Sequence, residues 1–358
     1  MKSNNKKKTA SQKGIKRRDF LQKSAIAGGG LLLPLALNAE ELTTDPPSKQ
    51  KSNWKSGDIP SQKGKVFVIT GGNGSPIGEY SGLGYQGALA LAAKEATVVI
   101  ASRSESRAES TLQIIKGRYP DAKIEFERLD LSDIASVASF SEKIKSKYDK
   151  VDVLINNAGF AGYVNRKVTP AGLEKCFATN VVGHYALTAH LLPLLKKAKD
   201  SRVVFVSSTA ANKKNFNLAD LQTEKDYTFL KAYSGSKYGV QMLAYEMQKR
   251  SEQYNWGITS MPVHPGVALT FLIPTGPGPD SAWGKIIKND RQRFKPAAQG
   301  CLSTLYAATS EEVKGGKYYG PDDNGTPVEA TPTPGTQNEQ RLEKLWDKVS
   351  KYAGIKMT

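Results

Sequence analysis

Six short apolar runs, at 65–70, 97–101, 124–129, 151–155, 202–206 and 257–263, alternate along the chain with helical patterns at 85–95, 106–118, 133–147, 171–197 and 232–253. The runs are apolar at consecutive positions rather than at every second one, so a strand made from any of them must be covered on both faces. A helix between successive strands supplies that cover and keeps the strands parallel. The expected fold class is therefore α/β, a doubly wound parallel sheet in a single domain. Its 358 residues, 39% hydrophobic and 24% charged, suit one large soluble core.

The first run, Lys65-Val66-Phe67-Val68-Ile69-Thr70, leads into Gly71-Gly72-Asn73, and Ser81-Gly82-Leu83-Gly84 opens the next helix. Glycines between a strand and a helix let backbone approach a pyrophosphate, whose charge the first N–H groups of the helix meet. Between the two halves of this loop lie Gly74-Ser75-Pro76-Ile77-Gly78-Glu79-Tyr80. Counting back from Val98-Val99-Ile100 places these as an insertion before Ser81. The alternative uses Pro76-Ile77-Gly78 as the tight turn and shifts the helix start. The second strand ends at Ser102 and Arg103, where an acid would hold a ribose hydroxyl. Serine and arginine there suit a 2′-phosphate, so NADP(H) is the expected cofactor. Asp130 and Leu131 follow the third strand, and Asn156-Asn157-Ala158-Gly159 end the fourth, small residues where a chain passes close to a ligand.

Tyr233 and Lys237 stand four residues apart at the start of a helix, on one face. A cation beside a phenol favours the phenolate and brings it towards working pH as an acid/base group. His184 and His190 lie on an apolar helix and His264 borders Pro265, with no triad-like partner, so structural roles are expected for all three. Cys176 and Cys301 are 125 residues apart, without a Cys-x-x-Cys or a histidine pair. No metal site is expected, and two buried free thiols are expected over a disulfide.

In chain order these pieces resemble the short-chain dehydrogenase/reductase family over about residues 64–353. The carriers are the Thr-Gly-x-x-x-Gly-x-Gly loop, split here by the insertion, Asn156-Asn157-Ala158-Gly159, Asn180 in the long helix, Ser207-Ser208 after the fifth strand, Tyr233-x-x-x-Lys237, and Pro265-Gly266 followed by Thr270. Segments 202–208, 219–225 and 316–321 look like the retinol-dehydrogenase-like branch. The resemblance implies a Rossmann fold and hydride transfer between a nicotinamide and a carbonyl or alcohol carbon. It implies Tyr233 as acid in reduction and base in oxidation, Lys237 stabilising its phenolate and touching the nicotinamide ribose, and Ser208, rather than Ser207, hydrogen-bonding the substrate oxygen. Asn180 would hold the helix kink and a water leading from Lys237 to solvent. The implied cofactor-binding set is Gly71, Asn73, Ser81, Gly82, Leu83, Gly84, Ser102, Arg103, Asp130, Leu131, Asn157, Ala158, Gly159, Tyr233, Lys237, Pro265, Gly266 and Thr270.

Residues 267–295 are the expected substrate lid, flexible through Pro274-Thr275-Gly276-Pro277-Gly278-Pro279. Its Leu269, Phe271, Leu272 and Trp283 favour a lipophilic small-molecule carbonyl or alcohol. A second function class stays open: a non-catalytic NADP(H)-binding or sensor protein on the same fold, which the split phosphate loop favours and turnover would exclude.

The net charge of +17 invites a nucleic-acid reading, but residues 1–60 carry 12 of the 51 basic and 5 of the 34 acidic residues, and the remaining excess is scattered. No basic stripe with interleaved aromatics exists, so no nucleic-acid partner is expected. The basic start, Arg17-Arg18-Asp19-Phe20-Leu21, the apolar run Ala25 to Leu37 and the small residue Ala39 form a signal of the bacterial twin-arginine type over 1–39. Export to the periplasm or beyond is expected, with a membrane partner only if the signal stays uncleaved. Residues 40–64, with Pro46-Pro47, read as a polar linker before a domain at 65–358. The oligomeric state is left open, a homo-oligomer included.

Overall fold

The computed structural model describes residues 53–357. Eight strands form one sheet: β1 Val66–Thr70, β2 Thr97–Ser102, β3 Ile124–Arg128, β4 Val153–Asn156, β5 Ser201–Val206, β6 Ile258–Val263, β7 Tyr319–Pro321 and β8 Pro327–Glu329. Their spatial order is β8-β7-β6-β5-β4-β1-β2-β3. All pairs are parallel except β7 with β8; Phe67, for example, faces Val98 on one side and Val153 on the other. The strand order reverses between β1 and β4, which opens a crevice at their carboxyl ends, where such sheets bind ligands. The doubly wound fold expected from the alternating pattern is the one observed.

Helices cover both faces: α1 Leu83–Ala92, α2 Glu105–Arg118, α3 Ile134–Lys147, α4 Gly183–Lys197, α5 Phe229–Gln253, α7 Leu302–Thr309 and α8 Glu339–Ala353, whereas α6 Ala282–Asn289 packs in a separate cluster around Tyr233. Within β1 the two-residue period of a strand sends Val68 into the core beneath α3, α4, α5 and α8, and Phe67 and Ile69 into the core beneath α1, α2 and α7. All three are at most 1% exposed, which is why the run is continuously apolar. Side chains of Ser104, Asp133, Thr228 and Asn338 cap α2, α3, α5 and α8.

Three segments differ from the sequence expectation. The helical pattern at 171–197 begins only at Lys175; a short turn, Lys175–Phe177, passes into one turn of π-helix, Ala178–Val182, before α4. The expected linker end, 53–64, is docked: Ile59 is 1% exposed, Trp54 meets Tyr306 edge-on at 5.4 Å, and the Gln62 N–H donates to the Lys94 carbonyl at 2.8 Å. Two apolar residues in a polar stretch anchor it, without a periodicity that could announce them. The expected lid is tied at its ends by a parallel bridge pairing Ala268–Leu269 with Lys295–Pro296, and holds a short helix, Leu272–Thr275, and α6. The expected signal, 1–39, and the linker up to residue 52 lie outside the described residues. Among the described residues no helix is long and apolar enough to cross a membrane.

Candidate active site

Tyr233 and Lys237 occupy the first turns of α5, and both are almost fully buried. The Lys237 Nζ lies 6.0 Å from the Tyr233 ring centroid and donates to the Val206 carbonyl at 2.7 Å. It also stands beside Gly159, where a Cβ would come within 3.5 Å of it. The two serines after β5 divide. Ser207 Oγ turns inward and donates to the Lys237 carbonyl at 2.7 Å, whereas Ser208 hydrogen-bonds Tyr233 and accepts from the Ala210 N–H at 3.1 Å. Alternating directions along a strand end explain the split.

The i,i+4 spacing led to an expected lowering of the phenol pKa, and the fold reverses that. Burial holds the Tyr233 phenol well above its ordinary value, with the Ser208 hydrogen bond acting against it. Burial also pushes Lys237 down to about 8. Removing both groups from water outweighs their proximity.

Asn180 sits in the π-turn, fully buried. Its Oδ1 accepts from the Phe160 N–H at 2.9 Å, and its Nδ2 donates to the Phe160 carbonyl and to Ser236 Oγ, each at 2.9 Å. The side chain thus pins the loop after β4 to α5. Its main-chain carbonyl accepts from His184 Nδ1 at 3.0 Å, which fixes the tautomer and leaves Nε2 to accept from Thr70 Oγ1, also at 3.0 Å. The same Thr70 oxygen accepts the N–H groups of Asn157 and Ala158, each at 2.9 Å. Burial lowers the His184 pKa to about 3, so the ring is neutral. His184 therefore joins the ends of β1 and β4 to the π-turn. Sequence reasoning saw it as a generic structural histidine, because its partner Thr70 is 114 residues away.

On the β1 side, Gly71 has φ +71°, and a Cβ on Gly84 would stand 2.6 Å from the Gly71 carbonyl oxygen and from Asn157 Nδ2. Asn157 Nδ2 donates to the Thr70 carbonyl at 2.7 Å and closes this turn. The inserted residues leave and re-enter through a narrow neck: the Gly82 N–H donates to the Gly74 carbonyl at 2.7 Å, and a Cβ on Gly74 would lie 2.8 Å from the Gly82 Cα. The helix therefore starts at Leu83, with Ser81 half a turn before it accepting from Gln86 at 3.0 Å. No side chain caps α1, unlike the four capped helices above, and no acid lies in its first turn. At the end of β2, Ser102 Oγ is buried without a hydrogen-bond partner beside the exposed Arg103. Asn73 donates to the Ser104 carbonyl at 3.3 Å. Asp130 Oδ1 is taken up by Ser132, at 2.9 and 2.7 Å, and Leu131 is buried. Across the sheet, Gly266 has φ +66° after Pro265, and Thr270 Oγ1 accepts from the Leu272 N–H at 3.3 Å. An uncapped helix start, backbone that no Cβ could enter and an orphaned hydroxyl where a ribose would lie all fit a dinucleotide.

The family model described as short chain dehydrogenase matches residues 65–275. The chain belongs to the short-chain dehydrogenase/reductase family. That makes it an oxidoreductase of the class that pairs a nicotinamide cofactor with a small-molecule substrate. Retinol dehydrogenase-like relatives support the branch. "Retinol dehydrogenase 12" of Mus musculus is 32% identical over 294 residues, covering 82% of this chain and 87% of that one. "Polyprenol dehydrogenase" of Danio rerio is 31% identical over 306 residues, covering 84% and 90%. A crystal structure of a Mycobacterium paratuberculosis protein is 30% identical with a TM-score of 0.67, over 86% of this chain and all of that one.

In this short-chain dehydrogenase/reductase the segment 267–295 packs against Tyr233. The Trp283 ring of α6 meets the Tyr233 ring edge-on at 5.6 Å and Phe229 at 5.8 Å. Leu272 Cδ1 would be 3.7 Å from a Cβ on Gly159. Tyr80 of the inserted residues stacks on Phe271 at 6.0 Å, and Arg291 Nε pairs with Glu79 at 3.0 Å. Cys176, fully buried beneath this cluster, and Cys301, behind α1, are both free thiols. Among the described residues no group of His, Cys, Asp and Glu could hold a metal ion.

Proposed function

We propose that the protein is an NADP(H)-dependent oxidoreductase that interconverts a carbonyl and an alcohol on a lipophilic substrate, with Tyr233 as the acid/base group. The observation that carries this is the buried Tyr233, with the Ser208 hydroxyl on its oxygen and Lys237 alongside, at the mouth of the glycine-lined crevice. A bound nicotinamide would supply or accept the hydride at carbon. The chain's own residues do the rest. Tyr233, held protonated by burial, is placed to give its proton to a carbonyl oxygen in reduction and to take it back in oxidation. Ser208 steadies that oxygen as charge develops, and Lys237, shared between the Val206 carbonyl and the Gly159 edge, is placed to hold a ribose. Asn180 and His184 keep these groups in register. A split phosphate loop would favour a non-catalytic sensor, and the neck at Gly74 and Gly82 brings the two halves of that loop together.

NADP(H) preference rests on Arg103 and the unpartnered Ser102 hydroxyl, with no acid beside them to repel a 2′-phosphate. A lipophilic substrate is supported by Leu269, Leu272 and Trp283 around Tyr233, and the curated relatives named for retinol and polyprenol point the same way. The test is titration with NADPH and NADH followed by a screen of aldehydes and ketones. Arg103→Ala should weaken NADPH binding by about 10-fold to 100-fold, the worth of a charge-assisted pair, and NADH binding little. Equal losses would remove Arg103 from this role, and binding without turnover across the screen would favour the sensor. We further propose twin-arginine export, with the mature chain starting near Glu40. N-terminal sequencing checks the cleavage, and lysine at both Arg17 and Arg18 should block export.

A further inference from the structure

The seven inserted residues are not idle surface. Below the neck, Ile77 and Tyr80 pair through backbone hydrogen bonds of 3.0 and 3.2 Å, which makes the insertion a small hairpin with its own shape. It touches the lid twice, through Tyr80 on Phe271 and Glu79 on Arg291. Hairpin and lid together line an open-sided pocket of about 340 Å³, at the low end of small-molecule sites. Glu79 and Tyr80 form one wall; Ile273, Pro274 and Ile287 form the other. Ile273 and Ile287 belong to the same apolar cluster as Tyr233, with Trp283 packed against it, so the pocket's apolar wall backs onto the cluster that holds the Tyr233 ring. At the rim the acids Glu79 and Asp280 are matched by Lys288 and Arg291. A balanced rim over an apolar floor suits an uncharged chain and gives no site for an ionic headgroup.

We propose that the inserted hairpin is a wall of the substrate site, and that with the lid it forms a chamber for the distal apolar chain of the substrate whose reacting carbon lies at Tyr233. This rests on the oxidoreductase function proposed above and adds a specificity determinant, Tyr80, from the phosphate loop. One element then serves both ligands. A substrate that fills the chamber pulls the hairpin against the lid, and the hairpin's base is the turn that receives the pyrophosphate.

The test is kcat/KM along n-alkanals of increasing length, from butanal to tetradecanal, with the full chain. For the parent it should rise about threefold to fourfold per methylene until the chamber is filled, the worth of burying one CH₂. In a variant with residues 74–80 deleted, which rejoins Asn73 to Ser81, and in Tyr80→Ala, the tetradecanal-to-butanal ratio should fall by about tenfold or more. Any damage to NADPH binding cancels in that ratio. A flat length profile for the parent, or the parent's profile retained in both variants, overturns the chamber; if the deletion does not fold, Tyr80→Ala decides. If the parent reduces no aldehyde at all, the oxidoreductase reading fails separately, and calorimetric binding of dodecanol decides the chamber. Binding weakened about tenfold or more by Tyr80→Ala supports it, and equal or absent binding overturns it.

Discussion

Tyr233, Lys237, Asn180 and His184 are each at most 4% exposed and are tied across β1, β4, β5, α4 and α5, whereas Glu79 and Arg291, which join hairpin to lid, are 73% and 39% exposed. The difference lies in what a lost contact leaves behind. A buried donor or acceptor deprived of its partner costs about 1–3 kcal/mol, whereas an exposed ion pair contributes about 0–1 kcal/mol, because water replaces either member. The floor of the site therefore has one arrangement, which the surrounding fold enforces. In the cover, the Glu79–Arg291 pair can part at little cost, whereas Ile273 and Ile287 hold the lid to the cluster around Tyr233.

The largest expected effect tests the floor's chemistry. Tyr233→Phe keeps the ring that Trp283 packs against, so NADPH should still bind while turnover falls by about 10² to 10⁴, measured by steady-state kinetics beside a cofactor titration. A Phe variant as fast as the parent would move the acid elsewhere.

Next comes Lys237, whose proton ties the floor to pH. Its pKa in the folded protein, about 8, is below the ordinary 10.5, so between those values the folded chain has lost a proton that the unfolded chain keeps. This group's contribution to stability accordingly rises with pH across that window. Denaturant melts at several pH values should show the parent gaining on Lys237→Met as pH climbs from about 8 towards 10.5. Parallel profiles would mean that Lys237 is not desolvated.

A smaller effect is expected at His184. His184→Phe fills the space but removes two buried hydrogen bonds, to the Thr70 hydroxyl and the Asn180 carbonyl, for a loss of about 1–3 kcal/mol in unfolding free energy. Turnover should fall more than cofactor binding, because Asn180 and the loop after β4 lose their register. The smallest is Glu79→Ala, where no measurable change in Tm is expected. A clear drop in Tm would make the cover part of the fold's framework and erase the contrast drawn above.

Much of the floor was legible in the sequence, because it lies where strands end and helices begin. Continuous apolar runs located β1 to β6, and the interruption of a helical pattern at Asn180 became a π-turn at 178–182. Interactions spanning the sequence were not legible. The Thr70–His184–Asn180 chain needs the sheet order before its members can meet. The sign of the Tyr233 shift needed burial, which the i,i+4 spacing does not carry. Trp54 and Ile59 were hidden because two anchors suffice to dock a polar segment and two make no period. In the cover, composition identified a lid but could not foresee that Tyr80, some 190 residues earlier, stacks on its Phe271.

The neck between Gly74 and Gly82 has a consequence for how this chain can vary. Because the two backbones already touch there, the ends of whatever lies between are held at a fixed, short separation. Closing a longer excursion across such a gap costs only about 0.6 kcal/mol for each doubling of its length, since the entropy of a closed loop changes logarithmically. As far as β1 and α1 are concerned, length at this point is thus nearly free. Related chains could differ here by many residues without disturbing β1 or α1, and a short peptide tag spliced between Ser75 and Glu79 would be carried outside the sheet as readily as the native hairpin.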